Sequence, residues 1–213
     1  MNKKYELTKE TLKFDGHTLY RIRALKNIND SVKEGDFGGW IQSEENLSQE
    51  SDCWVYDEAK VFNRAHVCDN ATIHDESTVS YHATVEDNAK VSGNTFIYEN
   101  AKISGSSIVD DSRITDNAQV IGSAHVIDSL VNGNAIIKDD SVLENSYAGD
   151  KVIVGKKSKL KNVSVRFSSV VEDVILIDTE EKYKKPNLYI TKEDGCIKIM
   201  NLNYMYMDGL KKL

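Results

Sequence analysis

A six-residue period runs through residues 55–147 and constrains this chain more than any other feature. Each unit opens on an aliphatic residue, as at Val55, Val61, Val67, Ile73, Val79 and Val85, and the series continues to Leu143. Four positions later a small residue usually follows, as at Ala59, Ala65, Ala71, Ser77, Ala83 and Ala89. Two units lack one residue, at 103–107 and 126–130, and Ile108 is the leader with which the register resumes after the first. A period this short is the mark of a parallel β-helix, in which each unit supplies one short strand and one corner. The expected fold class is therefore all-β, a solenoid.

Composition narrows the class further. The 213 residues are 40% hydrophobic, and within the repeat these are chiefly Val, Ile and Ala, as a thin core requires. No run reaches the roughly 18 apolar residues of a membrane span, and no apolar stretch follows Met1 as in a secretory signal. Cys53, Cys68 and Cys196 are odd in number and widely spaced, so no disulfide framework or zinc pattern is offered. These points predict a cytoplasmic protein with no membrane association, no metal and no cofactor. The net charge of −7 conceals an asymmetry. Residues 44–150 hold 20 Asp and Glu against 6 Lys and Arg, whereas residues 151–213 hold 8 against 13. Such a pattern steers partners rather than setting a fold.

Three segments follow from the pattern. Residues 1–46 alternate apolar and polar positions around Asp15-Gly16, a hairpin signal, and read as a cap with Phe37, Trp40 and Trp54 over the open end of the core. Residues 47–178 form the β-helix, regular to about 147 and then looser, with five-residue pulses led by Leu160, Val165, Val170 and Ile175. Residues 179–213 form a C-terminal β extension with a second hairpin about Asp194-Gly195, suited to interaction or oligomerisation. Lys156, Lys157, Lys159, Tyr204 and Tyr206 are the candidate contact residues at that end, and a homodimer or homotrimer is expected.

Units such as Val55-Tyr56-Asp57-Glu58-Ala59-Lys60 and Val67-Cys68-Asp69-Asn70-Ala71-Thr72 resemble the hexapeptide-repeat left-handed β-helix family. The resemblance implies triangular coils of about 18 residues, three units to a coil. Stacked in that way, Asp57, Glu58, Asp75, Glu76, Asp110, Asp111 and Asp128 gather along one edge. Corner chemistry accounts for part of this, because Asp, Asn and Gly tolerate the left-handed backbone of a tight turn. A second acid in each pair adds nothing to a turn. The alternative is an acidic edge that imitates nucleic acid and fills the basic groove of a protein partner, one that handles nucleic acid or serves host defence. The negative sign argues against direct nucleic-acid binding by the β-helix.

Proteins of the left-handed β-helix family are often acyltransferases that use coenzyme A thioesters, with a coil histidine as general base. That resemblance implies an enzyme alternative here, for which His82, beside Tyr81, is the candidate catalytic residue. The Gly-Asp-Phe-Gly-Gly-Trp-Ile segment and the Asp52-Cys53-Trp54-Val55-Tyr56-Asp57 entry are similar to small bacteriophage and prophage β-helix proteins, some of whose relatives are labelled acetyltransferases on fold alone. The favoured expectation is a non-enzymatic binding protein of that phage type, with a purely structural or assembly role as a further alternative.

Overall fold

The computed structural model describes residues 3–166, 169–177, 188–193 and 196–201, and these are all-β apart from a three-residue 3-10 turn at Glu44–Asn46. From Trp54 to Ile177 the chain winds through three parallel sheets for about eight coils, one short strand per sheet in each coil. Face I starts at Trp54–Val55, face II at Lys60–Val61 and face III at His66–Val67. The expected parallel β-solenoid is thus the observed architecture.

The leaders stack inward because alternate residues of a strand point to opposite sides. On face I, Val55, Ile73, Val91, Val109, Val126, Leu143 and Leu160 lie in register, one per coil, and all are buried. The small residues line the narrow corners of the triangle, where Ala59, Ala65, Ala71 and Ala83 leave almost no exposed surface. Each buried leader contributes on the order of 1.5–3 kcal/mol of transfer free energy.

The register differs from the sequence reading at one point, and the difference recurs. Val109, not Ile108, is the buried leader, so the short unit is 109–113 rather than 103–107. Units 143–147 and 160–164 are also short, as their leaders Leu143, Ala148, Leu160 and Val165 show. The corner between faces I and II therefore loses one residue in four successive coils. Toward the C-terminus the same one-residue shift places Val171 inside and leaves Val170 48% and Ile175 67% exposed. Two adjacent aliphatic residues compete for each of these positions, and only the stacking resolves which one turns inward.

The N-terminal segment forms strands β1 (Tyr5–Phe14), β2 (His17–Ala24) and β3 (Phe37–Ile41). The first two make an antiparallel hairpin with Asp15 and Gly16 at φ 45° and 76°, and β3 joins face II in parallel to Lys60–Val61. Of the three aromatics expected to close the core, Trp54 does so and Phe37 and Trp40 do not. Tyr5, Ile22, Ile28, Val32 and Leu47 cover the open end, with Trp54 buried among them. Trp40 packs on the outer side of face II with Leu19 and Phe62, and Phe37 is 57% exposed. Lys4 is fully buried, and its ammonium donates to the carbonyls of Glu50, Ser51 and Cys53 at 2.9–3.3 Å.

At the other end, strand Leu188–Glu193 continues face II in parallel to Val163–Val165 and pairs antiparallel with Cys196–Asn201, so a backbone hairpin extends the solenoid. Tyr204 and Tyr206 lie outside the described residues. Lys156, Lys157 and Lys159 belong to the coils themselves and not to a tail.

Candidate functional site

The corners explain most of the acids. Asp57, Asp75, Asp111 and Asp128 stand in one column between faces I and II, each with φ between 44° and 57°. In such a corner the carboxylate can reach an amide of a neighbouring coil. Asp57 accepts from the Asp75 N–H at 3.2 Å, Asp75 from the Gly93 N–H at 2.9 Å, and Asp111 from the Asn94 N–H at 2.7 Å. Gly93 breaks the column because a Cβ there would meet the Asp111 carboxylate at 2.4 Å. The other corners follow the same rule, with Asp69 on Asp87, Asp87 on Gly105 and Asp116 on Gly133.

The second acids of the pairs are also occupied, with one exception. Glu58 accepts from Trp40 Nε1 and from Arg21, each at 2.9 Å. The Trp40 bond is the main reason its carboxyl sits below the usual range, with Arg21 adding to it. Asp110 accepts from Ser92 Oγ at 2.7 Å and lies in the column of Tyr56, His74 and Ser92 rather than that of Asp57, a consequence of the shifted register. Glu76 has no such partner among the described residues, and neither has Asp128.

Removal of one residue from the corner creates a different feature. In a full corner the N–H of the small residue bonds the carbonyl three places back, as Ala59 does to Tyr56 at 3.1 Å. In three of the four short corners a serine stands at that place, and in the fourth Val163 does. Ser112, Ser129 and Ser146 donate to the carbonyls of Asp110, Ile127 and Glu144 at 2.6–2.7 Å. Each hydroxyl also accepts the N–H of the next coil at 3.0 Å, from Ser129, Ser146 and Val163. The tightened edge leaves an open groove of about 620 Å³ along face II, a size suited to a small ligand.

The groove is lined by residues that stand immediately before the face II leaders. Phe96, Arg113, Leu130, Tyr147 and Ser164 stack in register down four coil steps. The Arg113 guanidinium lies over Phe96 and Tyr98, at 5.5 and 5.8 Å from the ring centroids, and Arg166 lies 4.4 Å over Tyr147. Neither arginine has a carboxylate partner among the described residues. Tyr147 donates its hydroxyl to Asn132 at 2.9 Å, which fixes the ring. The strand positions flanking the face II leaders, from Lys60 to Arg166, include no Asp or Glu, whereas the corners on both sides are acidic. The hexapeptide pattern does not single out Phe96, Arg113, Leu130 and Tyr147. Their spacing of 17 residues, one place ahead of each leader, is the signal that identifies them.

His82 sits in a smaller depression at the next corner, lined by Gln42, Asn63, Arg64, Tyr81 and His82. Tyr81 adopts φ 59°, unusual for so large a side chain, and is 51% exposed. The His82 imidazole has no orienting hydrogen bond among the described residues. His66 Nδ1 is bound to the Glu45 carbonyl at 2.7 Å, and His74 stacks on Tyr56 at 4.2 Å. Of the candidate C-terminal lysines, Lys156 is taken up by Glu172 at 3.0 Å and Asp173 at 3.4 Å. Burial pushes the Cys53 thiol up, and burial together with Asp69 pushes Cys68 up to about 12, so both thiols are poor nucleophiles. No group of three or more candidate metal ligands occurs among the described residues.

No protein-family profile matches the chain. A 64-residue stretch is 39% identical to the uncharacterized acetyltransferase YdcK of Escherichia coli strain K12, covering 26% of this chain and 19% of that protein. The match thus spans about a fifth of its relative. Together with the three stacked parallel sheets, it supports a hexapeptide-repeat β-helix of the acetyltransferase-like kind.

Proposed function

We propose that this chain is a non-enzymatic binding solenoid that recognises anionic groups through face II, between its acidic corners. The observation that favours this reading is the pair of guanidiniums of Arg113 and Arg166, held on aromatic rings and without carboxylate partners on a face free of acids. Guanidinium on a ring is a preorganised and weakly hydrated cation, suited to phosphate or carboxylate. The acidic-edge alternative, mimicry of nucleic acid toward a basic protein, has less support, since Asp57, Asp75, Asp110, Asp111 and Glu58 are employed in cis. A phage-type role in a host cytoplasm and self-association as a dimer or trimer belong to the same proposal.

The test is calorimetric titration with inorganic pyrophosphate. Binding should weaken with salt and fall at least tenfold when Arg113 and Arg166 both become alanine. Amide replacement of Asp57, Glu58, Asp75, Glu76, Asp110 and Asp111 should leave binding intact or tighten it. Unchanged affinity without the two arginines would overturn the assignment.

A second reading, a coenzyme A-dependent acyltransferase with His82 as general base, is favoured by the stretch shared with YdcK. His82, Arg64 and Tyr81 share one depression that could receive an acceptor.

A further inference from the structure

The groove on face II has an internal order that a bare anion site does not need. From the N-terminal side its successive coils present Arg113, then Asp128 with Leu130, then Asn145 with Tyr147, and last Arg166. Coils are spaced by about 4.8 Å, so Asp128 and Arg166 lie roughly 10 Å apart along the axis. Cationic, apolar and hydrogen-bond-accepting positions are thus separated along one track. Of the two acids that line the groove, Asp111 accepts from the Asn94 N–H, whereas the Asp128 carboxylate has no partner among the described residues. Asn145 donates one amide hydrogen to Asn162 at 2.7 Å, which leaves its own oxygen available as an acceptor.

A ligand that suits this order has a flat apolar part, amino groups along one edge of it, and a phosphate at a distance. We propose that the groove binds a nucleotide with an amino-bearing base, a reading that rests on face II being the recognition surface. The base lies against Leu130, between the Arg113 guanidinium and Tyr147, because planar cations and rings stack on nucleobases. Its exocyclic amine donates to Asp128, and the Asn145 oxygen stands next to it. The phosphate reaches Arg166, which is held in place by the Tyr147 ring and by Ser164 Oγ, 3.5 Å from its Nε. A pyrimidine with a carbonyl in place of the amine would set oxygen against the Asp128 carboxylate and is disfavoured. The serine ladder gives the site its rigidity, since each corner hydroxyl is fixed at both ends.

The experiment is calorimetric titration of the full-length protein with ADP, UDP, adenosine, pyrophosphate and coenzyme A at one ionic strength. ADP should bind at least tenfold more tightly than UDP or pyrophosphate. Arg166→Gln should weaken ADP at least tenfold and leave adenosine unchanged, while Asp128→Asn should abolish the preference for ADP over UDP. Both positions lie outside the core, and an unchanged thermal midpoint confirms that the variants fold. If pyrophosphate binds as well as ADP, the base is not recognised and the nucleotide inference falls, with the anion-binding reading intact. If no anion binds, both fall. Coenzyme A binding as tightly as ADP would identify the nucleotide as part of a thioester cofactor, and weaker binding would point to a free nucleotide.

Discussion

Serine and alanine look equivalent at the narrow positions of this repeat, and the structure separates them. Ser112, Ser129 and Ser146 relay the hydrogen bonds that the shortened corner would otherwise lose, each donating backward in its own coil and accepting from the next. Ser129→Ala should therefore destabilise by about 1–3 kcal/mol in urea unfolding, because the buried Ser146 N–H is left without an acceptor. A cost near zero would show that water or a relaxed backbone replaces the hydroxyl. None of this was legible in sequence, where serine counts as one more small residue. The left-handed corner residues were legible, since Asp and Asn in this role follow from backbone sterics alone. What remained hidden was the use of their carboxylates. The Asp57 bond to the amide of the coil above depends on an axial neighbour 18 positions away.

The elements divide in the same way between local and long-range causes. The hairpin of β1 and β2 was readable because Asp15-Gly16 supplies two residues at positive φ between alternating strands. Face-by-face stacking was readable from the period, whereas the leader Val109 was not, because Ile108 and Val109 are equally able to fill a core. Closure of the N-terminal end depends on a lysine that reads as a surface charge. Lys4 is buried, and the cost of that burial holds its ammonium below the usual lysine range, while three carbonyls and the Cys53 sulfur accept from it. Lys4→Met keeps much of the volume but strands those carbonyls. It should lower stability by about 2–3 kcal/mol in urea titration and loosen the cap, seen as faster amide exchange at Cys53 and Trp54. Unaltered exchange there would mean that Tyr5, bonded to the Leu47 carbonyl at 2.6 Å, holds the cap without help.

For the molecule as a whole, acid should act in two steps. Burial is the main cause that keeps the His74 imidazole below its ordinary value, with Lys90 adding to it. As pH falls through about 6.5, the unfolded chain takes up that proton first, so stability declines until the folded imidazole is protonated as well. Glu58 is held low by Trp40 and then by Arg21, so its contribution is present above the usual carboxylate value and is lost at lower pH. Urea midpoints at pH 7.5 and 5.5 should differ for the natural chain and differ less for His74→Gln. An equal fall in both would assign the first step to other groups.

The alternation of acid corners with an acid-free face has a kinetic consequence for anything that diffuses toward this rod. Negative solutes approaching an edge are deflected, and those approaching broadside to the arginines are admitted, so capture is confined to one sector of the circumference. Dissolved electrolyte then acts on both stages at once, lowering the barrier raised by the edges and weakening the hold of the guanidiniums. An anion held on face II as proposed would then exchange faster as ionic strength rises, with no change of shape in the rod.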